Sequence, residues 1–319
     1  MSTEPGSPKA SIVVTTLNAG PGFGDLLRRL FSQKADFDYE VLVIDSGSTD
    51  ATIELALRCG ASVHRIHRDE FDHGATRNLG ASLSRGRYVA FVVQDALPLD
   101  DRWLASMVEN FERDETVAGV YGRQIPRPES SPLTRALMND WPVAGVERRE
   151  QFAGGAYREM SPHSRRSLAT FDNVSSCVRR SVWEDLPFER TGFGEDLRWG
   201  KKAVEAGYKL VYEPRSTVLH SHERGALYDL RRYYADGLVL QELFGLAPTP
   251  NLARLLLNVL LSSAHLYLRL IQNDKRVAPR SLLLAMRYAL FSQAGAYLAA
   301  RRSRAGTSAR LHSFLLKGI

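Results

Sequence analysis

The chain has few cysteines, and it lacks the glycine-rich loops that hold phosphates in several large enzyme classes. Its two cysteines, Cys59 and Cys177, lie far apart and without the spacing of a metal knuckle. This usage argues against a disulfide framework and a zinc site, and it is typical of a reducing compartment. No Gly-x-Gly-x-x-Gly follows the first predicted strand and no Gly-Lys-Ser/Thr occurs. A dinucleotide-binding dehydrogenase and a P-loop enzyme are therefore disfavoured.

Acidic residues are scarce near the end of the chain. Residues 1–230 contain 29 Lys/Arg and 33 Asp/Glu, whereas residues 231–319 contain 13 and 3. The net charge of +6 therefore combines a mildly acidic body with a strongly basic tail. This shift predicts a globular domain over 10–230 and a separate helical extension over 231–319. Residues 1–9 are polar and have no apolar core, so we expect a short disordered lead and not a signal peptide.

Apolar runs of strand length alternate with helical segments in the first hundred residues. The predicted strands are 10–18, 39–44, 62–66 and 88–95, the last of which ends on Asp95. This order and its short connections predict an α/β fold with a parallel sheet and right-handed crossovers. Residues 123–170 contain five prolines and many Arg and Ser residues, so we expect either an irregular surface loop or a mobile lid.

Two of these strands end on a carboxylate. Asp45 closes the second strand and Asp95 the fourth, after which Pro98 predicts a loop over 96–101. Ligands of open α/β sheets lie outside the carboxyl ends of the strands. Asp45 is placed to accept hydrogen bonds from a nucleobase imide or a ribose. Asp95 alone allows three interpretations: a divalent-metal ligand, a ribose contact, or a turn former with no ligand.

A basic residue precedes the central strand. Arg77 lies in the segment before that strand, and its planar guanidinium suits a phosphate. His73, four residues earlier, is either a functional residue or an ordinary loop residue.

The chain resembles the inverting family 2 glycosyltransferases in four motifs that follow the family's order: Thr16-x-Asn18, Asp45–Asp50, Ala75–Asn78 and Gln94-Asp95. The longer forms Phe71–Asn78 and Gln94–Pro98 look like the rhamnosyltransferase branch. The resemblance spans about residues 10–240. It implies a GT-A fold, a Mg²⁺ or Mn²⁺ ion and a nucleotide-sugar donor, with dTDP-L-rhamnose the first candidate and another UDP- or dTDP-sugar the alternative.

The resemblance also assigns site residues. The donor is expected to contact Thr16, Asn18, Asp45, Ser46, Arg77 and Gln94, and the metal is expected on Asp95. Val93 stands where the family pattern has a first acid, which makes a second protein ligand more valuable. In the family a downstream histidine is a usual extra ligand. We expect His220 first and His222 second, although a histidine pair is more often a surface or core feature; imidazole favours Mn²⁺.

An acidic pair opens a predicted helix after Gly194. Glu195 and Asp196 lie in its first turn, where the helix dipole favours negative charge, so two capping acids are the plain alternative. The family's Glu-Asp pair supplies the base, and Asp196 matches the base position. Direct displacement at an anomeric carbon needs a carboxylate to accept the acceptor's proton, and one displacement inverts the configuration.

The basic tail contains two amphipathic segments, 252–271 and 281–300. In the first, the polar residues form one stripe, namely Arg254, Asn258, Ser262, His265 and Arg269. We expect a peripheral membrane contact through 252–304, with a helical hairpin that caps the core or forms a homodimer as the alternative. Nucleic acid is a poor partner, because the basic residues are interleaved with leucines and not with stacking aromatics.

The sequence therefore predicts a metal-dependent inverting hexosyltransferase of cell-surface polysaccharide synthesis. By resemblance, its acceptor is a polyprenyl-diphosphate-linked saccharide at the cytoplasmic face of the plasma membrane. The alternative from another class is a non-catalytic scaffold or carbohydrate-binding protein on a decayed GT-A domain. The joint presence of Asp95, Asp196 and His220 speaks against decay.

Overall fold

The computed structural model describes residues 6–273, 278–305 and 308–317. Contacts divide the chain into two compact units. The first unit comprises Met1–Ile125, Pro142–Met160 and Ser167–His220, and the second comprises Pro126–Trp141, Ser161–Arg166 and Ser221–Ile319. The second unit thus begins its long segment slightly before the composition shift near 230 and includes two earlier segments.

The strands all belong to the first unit: β1 (Ala10–Thr16), β2 (Tyr39–Asp45), β3 (Ser62–Arg65), β4 (Tyr88–Val93), β5 (Leu97–Pro98), β6 (Val117–Ile125), β7 (Arg149–Gln151), β8 (Ser175–Arg179) and β9 (Lys209–Leu219). The helices are α1 (Phe23–Phe31), α2 (Thr52–Arg58), α3 (His73–Leu83), α4 (Trp103–Arg113), α5 (Pro132–Asn139), α6 (Pro162–Leu168), α7 (Arg180–Asp185), α8 (Glu195–Glu205), α9 (Ala226–Phe244), α10 (Leu252–Asn273), α11 (Ala278–Ala305) and α12 (Ala309–Leu316).

The strands form one mixed sheet in the order β3-β2-β1-β4-β8-β6-β9-β5, with β7 paired to β9. The predicted parallel arrangement is confirmed for β3, β2, β1 and β4. Beyond β4 the sheet is mixed, because β8 runs antiparallel to both β4 and β6. The parallel register pairs Thr16 with Asp45 and Thr15 with Val93. The loops that follow β1, β2 and β4 therefore all begin at the carboxyl-terminal edge of the parallel strands.

Helices cover the sheet and exclude water from it. β1 and β4 are buried over almost their whole length, which is why they read as continuous apolar runs. Trp103 of α4 is fully buried and donates its indole N–H to Ser175 Oγ of β8 at 2.9 Å. This contact joins the helix that follows Asp95 to the middle of the sheet.

The loop predicted after Asp95 is wrong in part. Leu97 and Pro98 form the short strand β5, antiparallel to Val218 and Leu219 at the end of β9. The pairing is possible because β5 is an edge strand, where the missing N–H of a proline leaves no ladder partner unsatisfied. The next residue, Leu99, donates its N–H to Thr217 O at 2.9 Å and completes the connection.

The second unit is helical. α11 packs on α9 and α10, α12 packs on α9, and α5 packs on α10. The helices predicted over 252–271 and 281–300 are confirmed, with somewhat wider bounds. The irregular stretch predicted over 123–170 is wrong: it contains α5, α6 and β7. α5 forms because Ser131 caps its N-terminus, a proline begins it, and its apolar side is buried.

α10 has an unusual distribution of polarity. Two residues of its polar stripe are engaged with α5, since His265 and Arg269 contact Asp140 at 2.9 and 2.8 Å. A third, Asn258, donates to Gln293 Oε1 of α11 at 3.1 Å. The exposed side is instead leucine-rich, at positions Leu252, Leu256, Leu257, Leu260, Leu261 and Leu268. Within the described residues, Leu252–Gln272 is a helix long and apolar enough to cross a membrane, a criterion that core helices also meet.

Candidate active site

An aspartate and a histidine meet at the edge of the sheet in the first unit. Asp95 Oδ1 lies 3.8 Å from His220 Nε2, because β5 and β9 pair between them. This separation is too long for a hydrogen bond. His222 follows two residues later and belongs to the second unit, so its part in the metal site stays a prediction. The structure brings together Asp95 and His220, two of the three residues predicted as metal ligands.

A buried glutamine orients His220. Gln124 Oε1 lies 3.0 Å from His220 Nδ1, and both side chains are buried. A carbonyl oxygen only accepts hydrogen bonds, so this contact suits a ring that carries a proton on Nδ1, and in the neutral form of that ring Nε2 has a lone pair available to a metal ion. Metal-binding histidines in proteins show this outer hydrogen bond, which fixes the ring and its tautomer. The donor set of one carboxylate and imidazole nitrogens therefore fits a divalent ion, and Mn²⁺ better than Mg²⁺.

Asp45 organises the loop that follows β2. It is fully buried, and its carboxylate accepts from Thr16 Oγ1 at 3.0 Å, from the N–H groups of Gly47 and Ser48 at 3.1 and 2.9 Å, and from Ser48 Oγ. Four hydrogen bonds occupy the acceptor positions of a carboxylate. The contact predicted between Asp45 and a nucleobase or ribose stays a prediction, and it would replace one of these bonds. Thr16 reaches the site through the same network.

The loop after β1 is tied to the loop after β2. Asn18 has a left-handed φ of 47°, its N–H donates to Ser48 Oγ at 2.7 Å, and its Oδ1 accepts from Thr49 N at 2.8 Å. Ser46 is buried, and its hydroxyl has no hydrogen-bond partner among the residues that the structure describes. Asn18 is exposed beside these loops, and the predicted donor contacts of Asn18 and Ser46 stay predictions.

Gln94 joins the ends of β4 and β1. Its Oε1 accepts from Leu17 N at 2.8 Å, and its Nε2 donates to Leu17 O at 3.2 Å. The side chain thus continues the backbone ladder one residue beyond β1. It holds the residue before Asp95 in place, and the predicted donor contact of Gln94 is not tested by this geometry.

The acidic pair at the start of α8 divides into a buried and a half-buried member. Gly194, with a φ of +77°, makes the turn that begins the helix. Glu195 Oε1 lies 2.9 Å from Arg77 Nη1, and both side chains are buried. Asn173 Nδ2 donates to the same carboxylate at 3.2 Å. Asp196 is half-buried and accepts from the N–H of Leu197 at 2.7 Å.

The two carboxyl groups have pKa values shifted in opposite directions. Burial alone would raise the pKa of Glu195, but the charges of Arg77 and His73 and the Asn173 hydrogen bond outweigh it, so the pKa lies below its ordinary value. Burial, followed by the negative charges of Glu195 and Asp172, raises the pKa of Asp196 to about 8. Pairs of titratable groups with divergent pKa values are typical of acid–base sites.

Arg77 has a structural role in this arrangement. Besides the ion pair with Glu195, its Nη1 donates to His73 O at 3.0 Å within the first turn of α3. The predicted contact with a donor phosphate stays a prediction. Three contributors were missed by sequence reasoning: Gln124, Asp172 and Asn173. Amide side chains and acids in strands and loops are common. Only the fold reveals that Gln124 contacts His220, that Asn173 contacts Glu195 and that the charge of Asp172 acts on Asp196.

A family model described as glycosyl transferase family 2 matches residues 11–181. Because this is more than half of the chain, the chain belongs to the family 2 glycosyltransferases, and it is a glycosyltransferase. The matched range contains Asp45, Arg77 and Asp95, whereas Asp196 and His220 lie beyond it.

Rhamnosyltransferases are among the relatives. The O-antigen chain rhamnosyltransferase RfbN of Salmonella typhimurium is 29% identical over 236 residues, which cover 72% of each chain. WbaN of Salmonella anatum, with the same description, is 29% identical over 238 residues and the same shares. The glycosyltransferase AglE of Haloferax volcanii is 26% identical over 257 residues, covering 75% of this chain and 79% of its own.

Solved glycosyltransferases share the fold. The mannosyltransferase PcManGT of Pyrobaculum calidifontis, in complex with GDP-Man and Mn²⁺, superposes with a TM-score of 0.54 at 20% identity. The match covers 96% of this chain and 78% of that one. Residues 1–349 of Staphylococcus aureus TarS give a TM-score of 0.51 at 15% identity, covering 95% and 93%. The GT-A fold with C-terminal helices, predicted from the sequence, is confirmed.

The buried ion pair gives a stability prediction. Glu195→Gln leaves the Arg77 guanidinium buried without its counter-charge, so we expect the free energy of unfolding to fall by about 3–5 kcal/mol. Urea denaturation measures this change. Glu189→Gln is the matched control, because Glu189 pairs with Arg198 and Lys202 while its side chain is 40% exposed. The control should change stability by less than about 1 kcal/mol; equal losses in both variants would contradict the assignment.

Proposed function

We propose that this glycosyltransferase uses a divalent ion and transfers L-rhamnose from dTDP-L-rhamnose to a hydroxyl group of a lipid-linked saccharide, with inversion. The observation that supports this most directly is the Asp95–His220 pair, with the His220 ring held at Nδ1 by the side chain of Gln124. The choice of rhamnose rests on the rhamnosyltransferases among the relatives.

Asp196 is the general base in this proposal. The acceptor oxygen forms a bond to the anomeric carbon, its proton passes to the Asp196 carboxylate, and the bond from that carbon to the diphosphate oxygen breaks. The nucleoside diphosphate leaves with the electron pair of the broken bond. A carboxylate with a raised pKa is a stronger base than an ordinary aspartate, which favours proton transfer from an alcohol.

Glu195 is a positioning residue. It is buried in the contacts with Arg77 and Asn173, and it adds negative charge beside Asp196. A divalent ion held by Asp95, His220 and His222 would neutralise the charge that develops on the leaving diphosphate. Asn18, Ser46 and the loops that Asp45 organises form the rest of the expected donor site.

Two alternatives remain for the same site. Another UDP- or dTDP-sugar is the first, since the solved neighbour TarS 1–349 of Staphylococcus aureus is also described in complex with UDP-GlcNAc. A non-catalytic carbohydrate-binding protein is the second. The divergent pKa values of Glu195 and Asp196 favour catalysis, because strongly shifted pKa values are typical of active sites and a site without activity does not need them.

We also propose that the second unit contacts an anionic membrane surface at the cytoplasmic face of the plasma membrane. α11, which packs on α10, also has exposed apolar residues, namely Leu282, Leu283, Met286 and Leu290. The polar stripe of α10 is engaged with Asp140 and Gln293, so an apolar environment is the natural neighbour of the opposite side. Residues 231–319 supply 13 basic against 3 acidic residues, which suits an anionic leaflet.

The metal assignment gives the first test of this function. In thermal-shift measurements, dTDP-L-rhamnose with Mn²⁺ should stabilise the protein, and EDTA should remove that stabilisation. Asp95→Asn should abolish the metal-dependent part, because the ion loses its carboxylate ligand. Asp101→Asn, on the same loop and paired with Lys34, is the matched control and should respond as the wild type does. An equal response to UDP-glucose would refute the preference for rhamnose.

The base assignment gives a pH prediction. Only ionised Asp196 accepts a proton, so kcat/KM should fall about tenfold per unit as the pH decreases below about 8. Asp172→Asn removes one of the charges that raise this pKa, so the falling limb should move to lower pH. Asparagine keeps the acceptor that Val174 N uses at 2.9 Å. Asp196→Asn should bind donor and lose transfer; unchanged turnover would sink the assignment.

The membrane proposal is tested with vesicles. The chain should co-sediment with phosphatidylglycerol vesicles more than with phosphatidylcholine vesicles, and less as the salt concentration rises. Leu256→Glu with Leu260→Glu should weaken binding at least about tenfold, because the charges enter the apolar side of α10. Leu57→Glu, at a similarly exposed leucine of the first unit, is the control. If the control and the double variant bind equally, the face of α10 is not the contact.

A further inference from the structure

A partly exposed phenylalanine precedes the first turn of α3 in the first unit. Phe71 is 40% exposed, and it follows the 3₁₀ turn Arg68–Glu70 directly before Asp72, the N-cap of α3. Its ring contacts the ring of His73 edge to face, with the two centroids 4.9 Å apart. The two rings therefore form one aromatic surface that is partly open to solvent.

A shared arginine connects this aromatic surface to the acidic pair of α8. Arg77 Nη1 donates to His73 O at 3.0 Å and lies 2.9 Å from Glu195 Oε1. Glu195 directly precedes Asp196, the base in the proposed reaction. The surface formed by Phe71 and His73 therefore borders the place where the acceptor's hydroxyl group meets its base.

Close packing fixes the position of the aromatic surface relative to α8. A Cβ on residue Gly74 would lie 1.8 Å from Glu189 O, so only glycine allows the first turn of α3 to pack on the chain that leads into α8. Asn78 of α3 pairs with both backbone groups of Phe188, since its Oδ1 accepts from Phe188 N at 3.0 Å and its Nδ2 donates to Phe188 O at 2.8 Å. A recognition residue needs this kind of support from its surroundings.

A sugar ring matches the chemistry at this place. The Phe71 ring is apolar, whereas Arg77 and the acidic pair beside it are charged, and a pyranose likewise combines a C–H face with a rim of hydroxyl groups. In an inverting displacement the attacking oxygen and the leaving group lie on opposite sides of the anomeric carbon. The residues that surround the base therefore face the acceptor and not the departing diphosphate.

We propose that Phe71 binds the acceptor saccharide, with the C–H face of the reacting sugar residue packed on the exposed part of the Phe71 ring. This inference rests on the proposed transfer reaction and on Asp196 as its base. An aromatic side chain offers a large apolar contact area at a low cost in conformational freedom, which suits a sugar contact. Phe71 thereby favours acceptors with an apolar ring face beside the reacting hydroxyl group.

Saturation-transfer NMR on the full chain measures this contact, with the methyl glycosides of rhamnose, mannose, galactose and glucose as probes, with and without dTDP and Mn²⁺. Irradiation of the aromatic protons should saturate the ring C–H protons of at least one glycoside. Phe71→Ala should weaken its binding about tenfold or more, because the apolar contact is lost. Phe71→Tyr should retain most of the binding, because an aromatic face remains.

Phe31→Ala is the matched control, because Phe31 lies on α1 of the same unit and is 39% exposed. It should bind the glycoside as the wild type does. Phe71→Leu separates recognition from a structural role: it keeps an apolar side chain, so the melting temperature should stay near that of the wild type while glycoside binding falls. Wild-type affinity in Phe71→Ala and Phe71→Leu would overturn the proposal, and so would the absence of binding by every probe.

The donor response distinguishes this proposal from the proposed function. Phe71→Ala should keep the stabilisation by dTDP-L-rhamnose and Mn²⁺; its loss with unchanged glycoside binding would place the ring on the donor sugar and overturn the acceptor assignment. If glycoside binding depends on Phe71 while the wild type shows no donor response, the saccharide contact stands and the donor assignment fails. If the donor response is present and no glycoside binds, Phe71 is not an acceptor contact.

Discussion

The candidate site depends on a two-residue strand pairing. Leu97 and Pro98 lie antiparallel to the end of β9, and this contact joins the chain after β4 to His220, far away in the sequence. Without it, Asp95 would end a strand as an isolated carboxylate. With it, Asp95 Oδ1 and His220 Nε2 lie 3.8 Å apart, and Gln124 on the neighbouring strand β6 holds the other side of the His220 ring. A metal-type donor set thus follows from ordinary backbone hydrogen bonding at a sheet edge.

Electrostatics then separates two acids that are adjacent in the chain. Glu195 is neutralised in a buried ion pair with Arg77, whereas burial and the negative charges of Glu195 and Asp172 outweigh the charge of Arg77 at Asp196 and raise its pKa. The ion pair costs desolvation, so its value here is the orientation of the first turn of α8 and the charge that it places beside Asp196. Within this motif Glu195 therefore stabilises the structure, and Asp196 is the group that we propose as the base.

In the second unit, α10 has its polar residues in contact with neighbouring helices and its leucines on the surface, the reverse of a helix in an ordinary soluble bundle. In α10 the polar stripe is engaged with α5 and α11, and leucines remain exposed. Exposed leucines are unfavourable for a helix in water, and the lipid surface that we propose as the neighbour of α10 would cover them.

The sequence alone determined the α/β order, the parallel half of the sheet, the helices of the tail and the family, because periodicity and strand-end motifs are local properties. It also indicated Asp95, Asp196 and His220 through motif resemblance. Only the tertiary structure decided that Pro98 lies in a strand, that α5 interrupts a stretch expected to be irregular, that Glu195 is the buried member of its pair, and that Gln124, Asp172 and Asn173 support the site. These outcomes depend on burial and on contacts between residues distant in the chain, where desolvation and charge neighbours act, and no local pattern records them.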